Sequence, residues 1–437
     1  MQTLEEVKSG KIIGITNIKL SEEITSFPTE LYQYADTLEV LDLSGNKLSE
    51  LPSEFTLFKK LRILFLSNNL FELFPSVLAE LPILDIVGFK ANKIKTISEK
   101  AIPKSLRWLI LTDNNIEALP RSIGECSSLQ KVMLAGNALT TLPDEMAACV
   151  HIELLRISAN KIEQLPTWLF TLPKLAWLAF SGNPCKELQL DQYSTEPNIK
   201  SIPWSSISLE EQIGEGASGT IYKARVTETN EAIAVKIFKG SITSDGFPKD
   251  EMDACIHAGV HKNLISVQAV ISEHPEGKSG LIFKLIPRNF TNLGLPPNFV
   301  TCTRDTFDPF VKINLDGIRK IVYQTALVME FMHARGIMHG DFYAHNILIN
   351  EEYTPLLSDF GAATRYSQEN KEHSILLQKL DVRAFGCLID DLLRLQDVSE
   401  GDAFEALIQL RNECLDANTC TRPIFKYILE RLLSNSI

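Results

Sequence analysis

"LEVLDLSGNKLSELP", Leu38 to Pro52, decides the first half of this chain. Its apolar residues stand at fixed offsets, LxxLxLxxNxLxxLP. The same template returns as "LRILFLSNNLFELFP" (61–75), "LRWLILTDNNIEALP" (106–120), "LQKVMLAGNALTTLP" (129–143) and "IELLRISANKIEQLP" (152–166). Two looser copies, "LDIVGFKANKIKTIS" (84–98) and "LAWLAFSGNPC" (175–185), also fit. The repeat asparagines are Asn46, Asn69, Asn92, Asn114, Asn137, Asn160 and Asn183, spaced by 22 or 23 residues, a period that marks a stacked repeat architecture. The alternating LxL centre predicts a short strand with its leucines turned inward. The Asn leaves the strand and is placed to bond backbone groups of neighbouring coils, since a buried unpaired amide is costly. Leu-Pro then turns the chain onto the opposite side. One coil cannot bury its own apolar face, so the coils must stack.

These residues resemble leucine-rich repeats of the short intracellular kind, over about residues 15–190. "GITNIKL" (Gly14 to Leu20) reads as a degenerate first coil without its Asn, behind a polar N-terminal cap. The resemblance implies a horseshoe-shaped solenoid that binds a protein substrate or regulator on its concave strand face. Outward positions there include Trp108, Ile110, Met133, Arg156 and Trp177. Exposed aromatic and Met side chains of this kind suit a protein contact, with Trp108 and Trp177 the candidates. The alternative is that these rings pack against neighbouring coils or against the rest of the chain.

The whole sequence sets bounds. Its 437 residues suggest two or three domains, and 45% apolar with 22% charged residues is ordinary globular composition. A formal net charge of −12 argues against nucleic acid as a partner. "MQTLEEVKSGKIIG" has two early acids and no apolar run of signal length. No window long enough to span a membrane is free of polar residues. The eight cysteines are scattered with no CxxC pair, which favours reduced thiols over a disulfide or zinc framework. The expectation is a cytoplasmic protein with no membrane partner.

After Asn183 the period stops, and a polar, Pro-containing connector follows, set at 191–204, in which Trp204 is expected to pin two domains together. The domains are then 1–190, repeats with their cap, and 205–437. The second opens with "IGEGASGTIYKA": Gly214, Gly216 and Gly219 form G-x-G-x-x-G, followed by Ile221. Glycines let a backbone fold tightly over phosphates and offer N–H donors at close range. The spacing alone also occurs in dinucleotide folds, but there it leads into a helix. Here "TIYKARV" alternates like a strand. Lys236 stands 17 residues beyond Gly219 in the apolar strand "AIAVKIF", an expensive place for an unpaired ammonium.

These features, with "LIFKLIP" (281–287), "MHGDFYAHNILIN" (338–350), "LLSDFGAAT" (356–364), "DVRAFGCLIDDLL" (381–393) and "TRPIF" (421–425), occur in order and resemble a protein kinase domain over about residues 205–437. The fold class expected is therefore α/β multi-domain: a leucine-rich-repeat solenoid followed by a bilobal α+β protein-kinase-like domain. By the resemblance, ATP and Mg2+ are the cofactors. Lys236 holds the α- and β-phosphates and pairs with Glu251 of a helix, Asp253 being the alternative. Gly214, Gly216 and Gly219 cover the phosphates; Ile221, Ala234 and Leu348 enclose the adenine; Phe283 guards the back of the pocket. Asp341 positions the substrate hydroxyl. Asn346 and Asp359 hold the metal. Asp381 fixes the catalytic-loop backbone.

The motif departs from the family at two places. Gly340 stands where most protein kinases have Arg, and Tyr343 where Lys or Ala is usual. Ser367-Gln368-Glu369 reads as a degenerate APE motif, with Glu369 pairing with Arg422. Only nine residues separate Asp359 from Glu369, so most of the activation loop and peptide-docking segment is missing. An Arg at position 340 would then have no loop phosphate to pair with, and phosphorylation between Ala362 and Gln368 is not expected to be the switch. Three readings stand: an active protein kinase with Ser/Thr as the default acceptor, a catalytically weak scaffold, and a small-molecule phosphotransferase. The last shares His-Gly-Asp-x-x-x-x-Asn with aminoglycoside- and choline-kinase-like enzymes. Residues 288–310 match no motif.

Overall fold

The computed structural model describes residues 3–9, 14–188, 198–240, 242–396 and 401–434. The chain forms two compact units, Met1–Leu175 with Asn183–Cys185, and Ala176–Gly182 with Lys186–Ile437.

The first unit opens with a one-turn helix, α1 (Leu4–Lys8), closed by a reciprocal cap. The Glu6 amide donates to Thr3 Oγ1 at 3.1 Å, and the Thr3 amide donates to Glu6 Oε2 at 2.8 Å. Seven short strands follow: β1 (Asn17–Lys19), β2 (Val40–Asp42), β3 (Ile63–Phe65), β4 (Ile86–Gly88), β5 (Trp108–Ile110), β6 (Lys131–Met133) and β7 (Leu154–Arg156). Each pairs in parallel with the next, as Leu41 opposite Leu64 and Leu109 opposite Val132 show. The central residue of every strand is buried. The degenerate first copy thus does form a coil, with Ile18 and Leu20 in the core.

The asparagines tie successive coils. Asn69 Oδ1 accepts from the Leu48 amide at 2.9 Å, while Nδ2 donates to the Leu43 and Leu66 carbonyls at 2.9 and 3.1 Å. Asn137 repeats this with the Ile116 amide and the Leu111 and Leu134 carbonyls. The prolines of the Leu-Pro steps precede short 3-10 turns such as Ser53–Leu57 and Asp144–Ala148, which carry the chain back to the next strand. The concave face is less open than the sequence suggests. Arg156 is buried, and the half-buried Trp108 ring lies beneath the Lys131 ammonium, 4.1 Å from its centre.

The second unit includes Ala176–Gly182 from the last copy of the repeat, with strand β8 (Trp177–Ala179) buried throughout, and a 3-10 turn at Lys186–Leu188. Residues 189–197, within or beside the expected connector, lie outside the described residues. The described part of the connector is already built into this unit: β9 (Lys200–Pro203) pairs in parallel with β13 (Val267–Ser272). Trp204 packs on His274 with ring centres 4.3 Å apart, so its contact is inside its own unit and not across a domain junction.

Strands β10 (Ile207–Glu215), β11 (Gly219–Val226), β12 (Ala232–Phe238) and β14 (Gly280–Lys284) complete a six-stranded sheet in the order β10-β11-β12-β14-β13-β9. Ile207, Ala224, Ile233, Val235, Ala269 and Ile282 form its core. Helix α2 (Pro248–Ala258) begins with Pro at its first turn and ends at Gly259, whose φ of 74° is a left-handed stop. The larger part is helical, with α3 (Leu315–His333), α4 (Lys371–Arg394), α5 (Asp402–Cys414) and α6 (Phe425–Ser434). Asn314 and Asn370 cap α3 and α4 by accepting from the Gly317 and His373 amides. Apolar residues at helical spacing, Ile318, Ile321, Val322 and Met329 on α3 and Leu377, Leu380, Ala384 and Leu388 on α4, bury facing stripes. Short strands β15 (Thr291–Asn292), β17 (Ile347–Ile349) and β18 (Pro355–Leu357) form one small sheet, and β16 (Ile337–Met338) pairs with β19 (Thr364–Arg365). Among the described residues no helix is long and apolar enough to cross a membrane.

Candidate active site

Lys236 lies mid-strand on β12, opposite Ile221 of β11 and Leu281 of β14. Its ammonium forms an ion pair with Glu251 in the first turn of α2, where the helix N-terminus favours a carboxylate. Both groups are buried, with side chains 14% and 3% exposed, so the pair is screened little by water. Burial works against the ammonium, yet Glu251 and then Asp359 outweigh it and raise the Lys236 pKa. Burial also raises the Glu251 carboxyl, against the pull of Lys236. Asp253, the alternative partner from sequence, faces Arg365 at 2.7 Å instead.

The catalytic loop runs from His339 to Asn346 and is held from below by Asp381 of α4. That fully buried carboxylate accepts from the His339 amide at 2.8 Å, the Gly340 amide at 3.1 Å and His333 Nε2 at 2.9 Å. Asn346 turns its amide nitrogen onto Asp341, donating to Oδ2 at 2.8 Å and to the backbone carbonyl at 2.9 Å. Asp359 sits at φ 55°, a left-handed conformation that an Asp adopts at a cost of order 1–3 kcal/mol. The Gly361 amide bonds Asp359 Oδ1 at 3.0 Å and steadies it. His339 packs on Phe360, ring centres 5.7 Å apart.

The remaining candidates lie on the six-stranded and the three-stranded sheet. Gly214 is opposite Ile221, and Ala234 is opposite Phe283. Leu348 lies on β17 opposite Leu356. Gly219 is needed for packing, because a Cβ there would lie 2.6 Å from the Ile237 carbonyl oxygen. At Gly216 a Cβ would meet nothing within 4 Å, so space is left over the loop. An all-oxygen set, the Asp359 carboxylate and the amide oxygen left on Asn346 once its nitrogen is spent on Asp341, fits a hard divalent cation such as magnesium. Among the described residues no group of three or more His, Cys, Asp or Glu side chains is placed to hold a metal ion.

Three features were not legible in sequence. Asp305, in the unassigned stretch, pairs with His345 Nδ1 at 2.6 Å and accepts from the His345 amide at 3.1 Å. Burial opposes the imidazolium, but Asp305, then Asp341 and Asp359, raise its pKa. Arg304 beside it donates to Asp391 at 2.5 Å and to Asp390 at 3.2 Å, so residues 288–310 strap the catalytic loop to α4. No motif signals either contact. Trp177 is the third. It is 1% exposed, stacks on Tyr343 with ring centres 4.2 Å apart and planes at 8°, and donates Nε1–H to the Phe342 carbonyl at 3.2 Å. It is therefore not free to contact a separate protein, which corrects its assignment as a partner residue. Glu369 is exposed ahead of α4, while the buried Arg422 donates to the Asp416 carbonyl at 2.9 Å.

Solenoid and site together define a repeat protein joined to a phosphotransferase-type fold. Family models agree: leucine rich repeat matches residues 37–58 and 104–162, and protein kinase domain matches 207–380. The chain thus carries leucine-rich repeats followed by a protein kinase domain. It is similar to Cyclin-dependent kinase C-2 of Oryza sativa subsp. japonica, 26% identical over 199 residues, which is 40% of this chain and 36% of that relative's length.

Proposed function

We propose that this chain is an ATP-dependent protein kinase that moves the γ-phosphoryl group to a protein hydroxyl, with Ser/Thr the default acceptor. The buried Lys236–Glu251 pair, with Asp359 near enough to raise the Lys236 pKa, carries this reading, and the Asn346–Asp341 bond supports it. Lys236, steadied by Glu251, binds phosphate oxygens. The Gly214–Gly219 turn offers backbone N–H donors over them, and Ile221, Ala234, Leu348 and Phe283 enclose the base. Asn346 orients the Asp341 carboxylate, which receives or positions the hydroxyl proton. Asp359 and the Asn346 oxygen would hold magnesium, which when bound neutralises phosphate charge. The repeats, residues 1–190, bring a protein to the kinase domain at 205–437, with Trp108 on the strand face a contact and raised effective concentration replacing a peptide-docking surface. We place the protein in the cytoplasm, away from nucleic acid and membrane.

The short segment from Asp359 to α4 supports a second reading, a small-molecule phosphotransferase, because a small alcohol needs no peptide-docking surface. Labelled ATP with magnesium separates the two. Label on protein, abolished in Asp341→Asn, supports the protein kinase. ATP consumption that depends on a small alcohol supports the second. Nucleotide binding with no transfer to either acceptor refutes both and leaves a scaffold.

A further inference from the structure

Two repeat-derived pieces of the second unit, Ala176–Gly182 and Lys186–Leu188, stand against three parts of the kinase domain. The first is the catalytic loop. Trp177 stacks on Tyr343 and donates to the Phe342 carbonyl, and the Leu178 carbonyl comes so close to Gly340 that any Cβ there would collide with it. Gly340 also sits at φ 68°, which disfavours other residues. The second is the start of α2. Ser181 hydrogen-bonds the Asp250 side chain, and a Cβ at Gly182 would lie 2.8 Å from Asp250 Oδ2 and 2.9 Å from the Phe247 ring. Asp250 precedes Glu251, the partner of Lys236. The third is the segment after Asp359: the Ser367 amide donates to the Glu187 carbonyl at 2.7 Å, and His373 lies 3.3 Å from Glu187 Oε1.

That segment spans only residues 359–370 before α4 opens at Lys371. It reaches the loop through Phe360 on His339 and α2 through Arg365 on Asp253, and the repeat-derived pieces add a second set of contacts to both. We infer that Trp177 is a positioning residue: the Ala176–Gly182 piece of the repeat holds the Asp341 loop and the start of the Glu251 helix in place, sharing with the short 359–370 segment a role that a longer activation segment would otherwise fill. The two departures at Gly340 and Tyr343 are then one adaptation. Gly340 admits the Leu178 backbone and Tyr343 supplies the stacking surface. This inference rests on the kinase reading for its catalytic arm, but its structural arm does not.

The test uses the full chain with Trp177→Phe, Trp177→Ala and Gly340→Ala, the last crowding the Leu178 and Ala362 carbonyls from the loop side. Amide hydrogen exchange is read over 338–346 and 247–258, alongside kcat and the KM for ATP. In Trp177→Ala, exchange over 338–346 should rise about tenfold with the amides of β12 and α3 unchanged. The kcat should fall about tenfold or more with KM for ATP within about threefold, the split expected of positioning and not of nucleotide binding. Trp177→Phe, which keeps a stacking ring but loses the N–H bond, should fall between, and Gly340→Ala should resemble Trp177→Ala. Wild-type exchange in the loop overturns the inference. So does exchange that rises evenly through the unit, which marks a purely structural role, and so does a raised kcat, which marks the segment as a restraint. If the wild-type chain transfers no label, the kinase reading falls and the exchange pattern alone decides.

Discussion

Replacing Asp381 by Asn tests how the catalytic loop is anchored. The carboxylate accepts three hydrogen bonds with no exposure to water: Oδ2 takes the His339 amide and His333 Nε2, and Oδ1 takes the Gly340 amide. Asn has one acceptor oxygen. Its better orientation keeps that oxygen at the Oδ2 position, with two donors, and turns the amide nitrogen onto the Gly340 N–H, donor against donor. One charge-assisted bond is lost and one buried N–H is left unmade, a cost of about 2–4 kcal/mol. Asp381→Ala loses all three partners and should cost more, about 3–5 kcal/mol. Urea unfolding of the full chain, followed by circular dichroism, reads the transition of the second unit. With m-values of about 1–3 kcal/mol/M, the Asn variant should lower its midpoint by about 1–2 M. The freed Gly340 amide should also loosen Asp341, lowering kcat about tenfold with KM for ATP nearly unchanged. A midpoint shift below about 0.3 M together with wild-type kcat would show that Asp381 does not anchor the loop.

Three further outcomes follow from the same geometry. A double-mutant cycle of Lys236→Met and Glu251→Gln, read by urea unfolding, should give a coupling of about 1–3 kcal/mol, because each single change strands a buried partner; coupling under about 0.5 kcal/mol would mean that the pair is not held in solution. The His345 pKa is raised in the folded state by Asp305 despite burial, so its stabilisation is complete below the ordinary His value near 6.5 and is lost as pH rises through the raised value. Unfolding free energy measured from pH 6 to 9 should therefore fall more steeply for the wild type than for His345→Gln, and parallel curves would contradict this. Asn137→Ala removes three buried bonds that join neighbouring coils and should destabilise the first unit by about 2–4 kcal/mol, seen as a lower midpoint for that transition alone. A joint shift of both transitions would show that the two units unfold together.

Much of the fold is legible because its signals are local. The 22- and 23-residue spacing of asparagines requires stacked coils, and the polar amide requires backbone partners; both are met as the pattern demands. Lys236 in an apolar strand needs a carboxylate, and Glu251 answers it. The choice between Glu251 and Asp253 was not available from spacing, since both lie on one short helix and only its rotation against β12 turns Glu251 inward. The concave face was misread at Trp177 and Arg156 for a related reason. Strand alternation says which residues leave the solenoid interior, and it does not say what else then covers them.

The sequence by itself determined the repeat, the order of the kinase motifs, the missing length after Asp359 and the oddity of Gly340 and Tyr343. Tertiary structure alone decided what those oddities touch. Trp177 and Phe342 are 165 positions apart, and Asp305 and His345 are 40 apart. No periodicity or spacing links such pairs, because their meeting depends on how separately folded elements close on one another. A ring stacked on a ring and a carbonyl pressed on a glycine are consequences of that closure, and they set which residues the loop can tolerate.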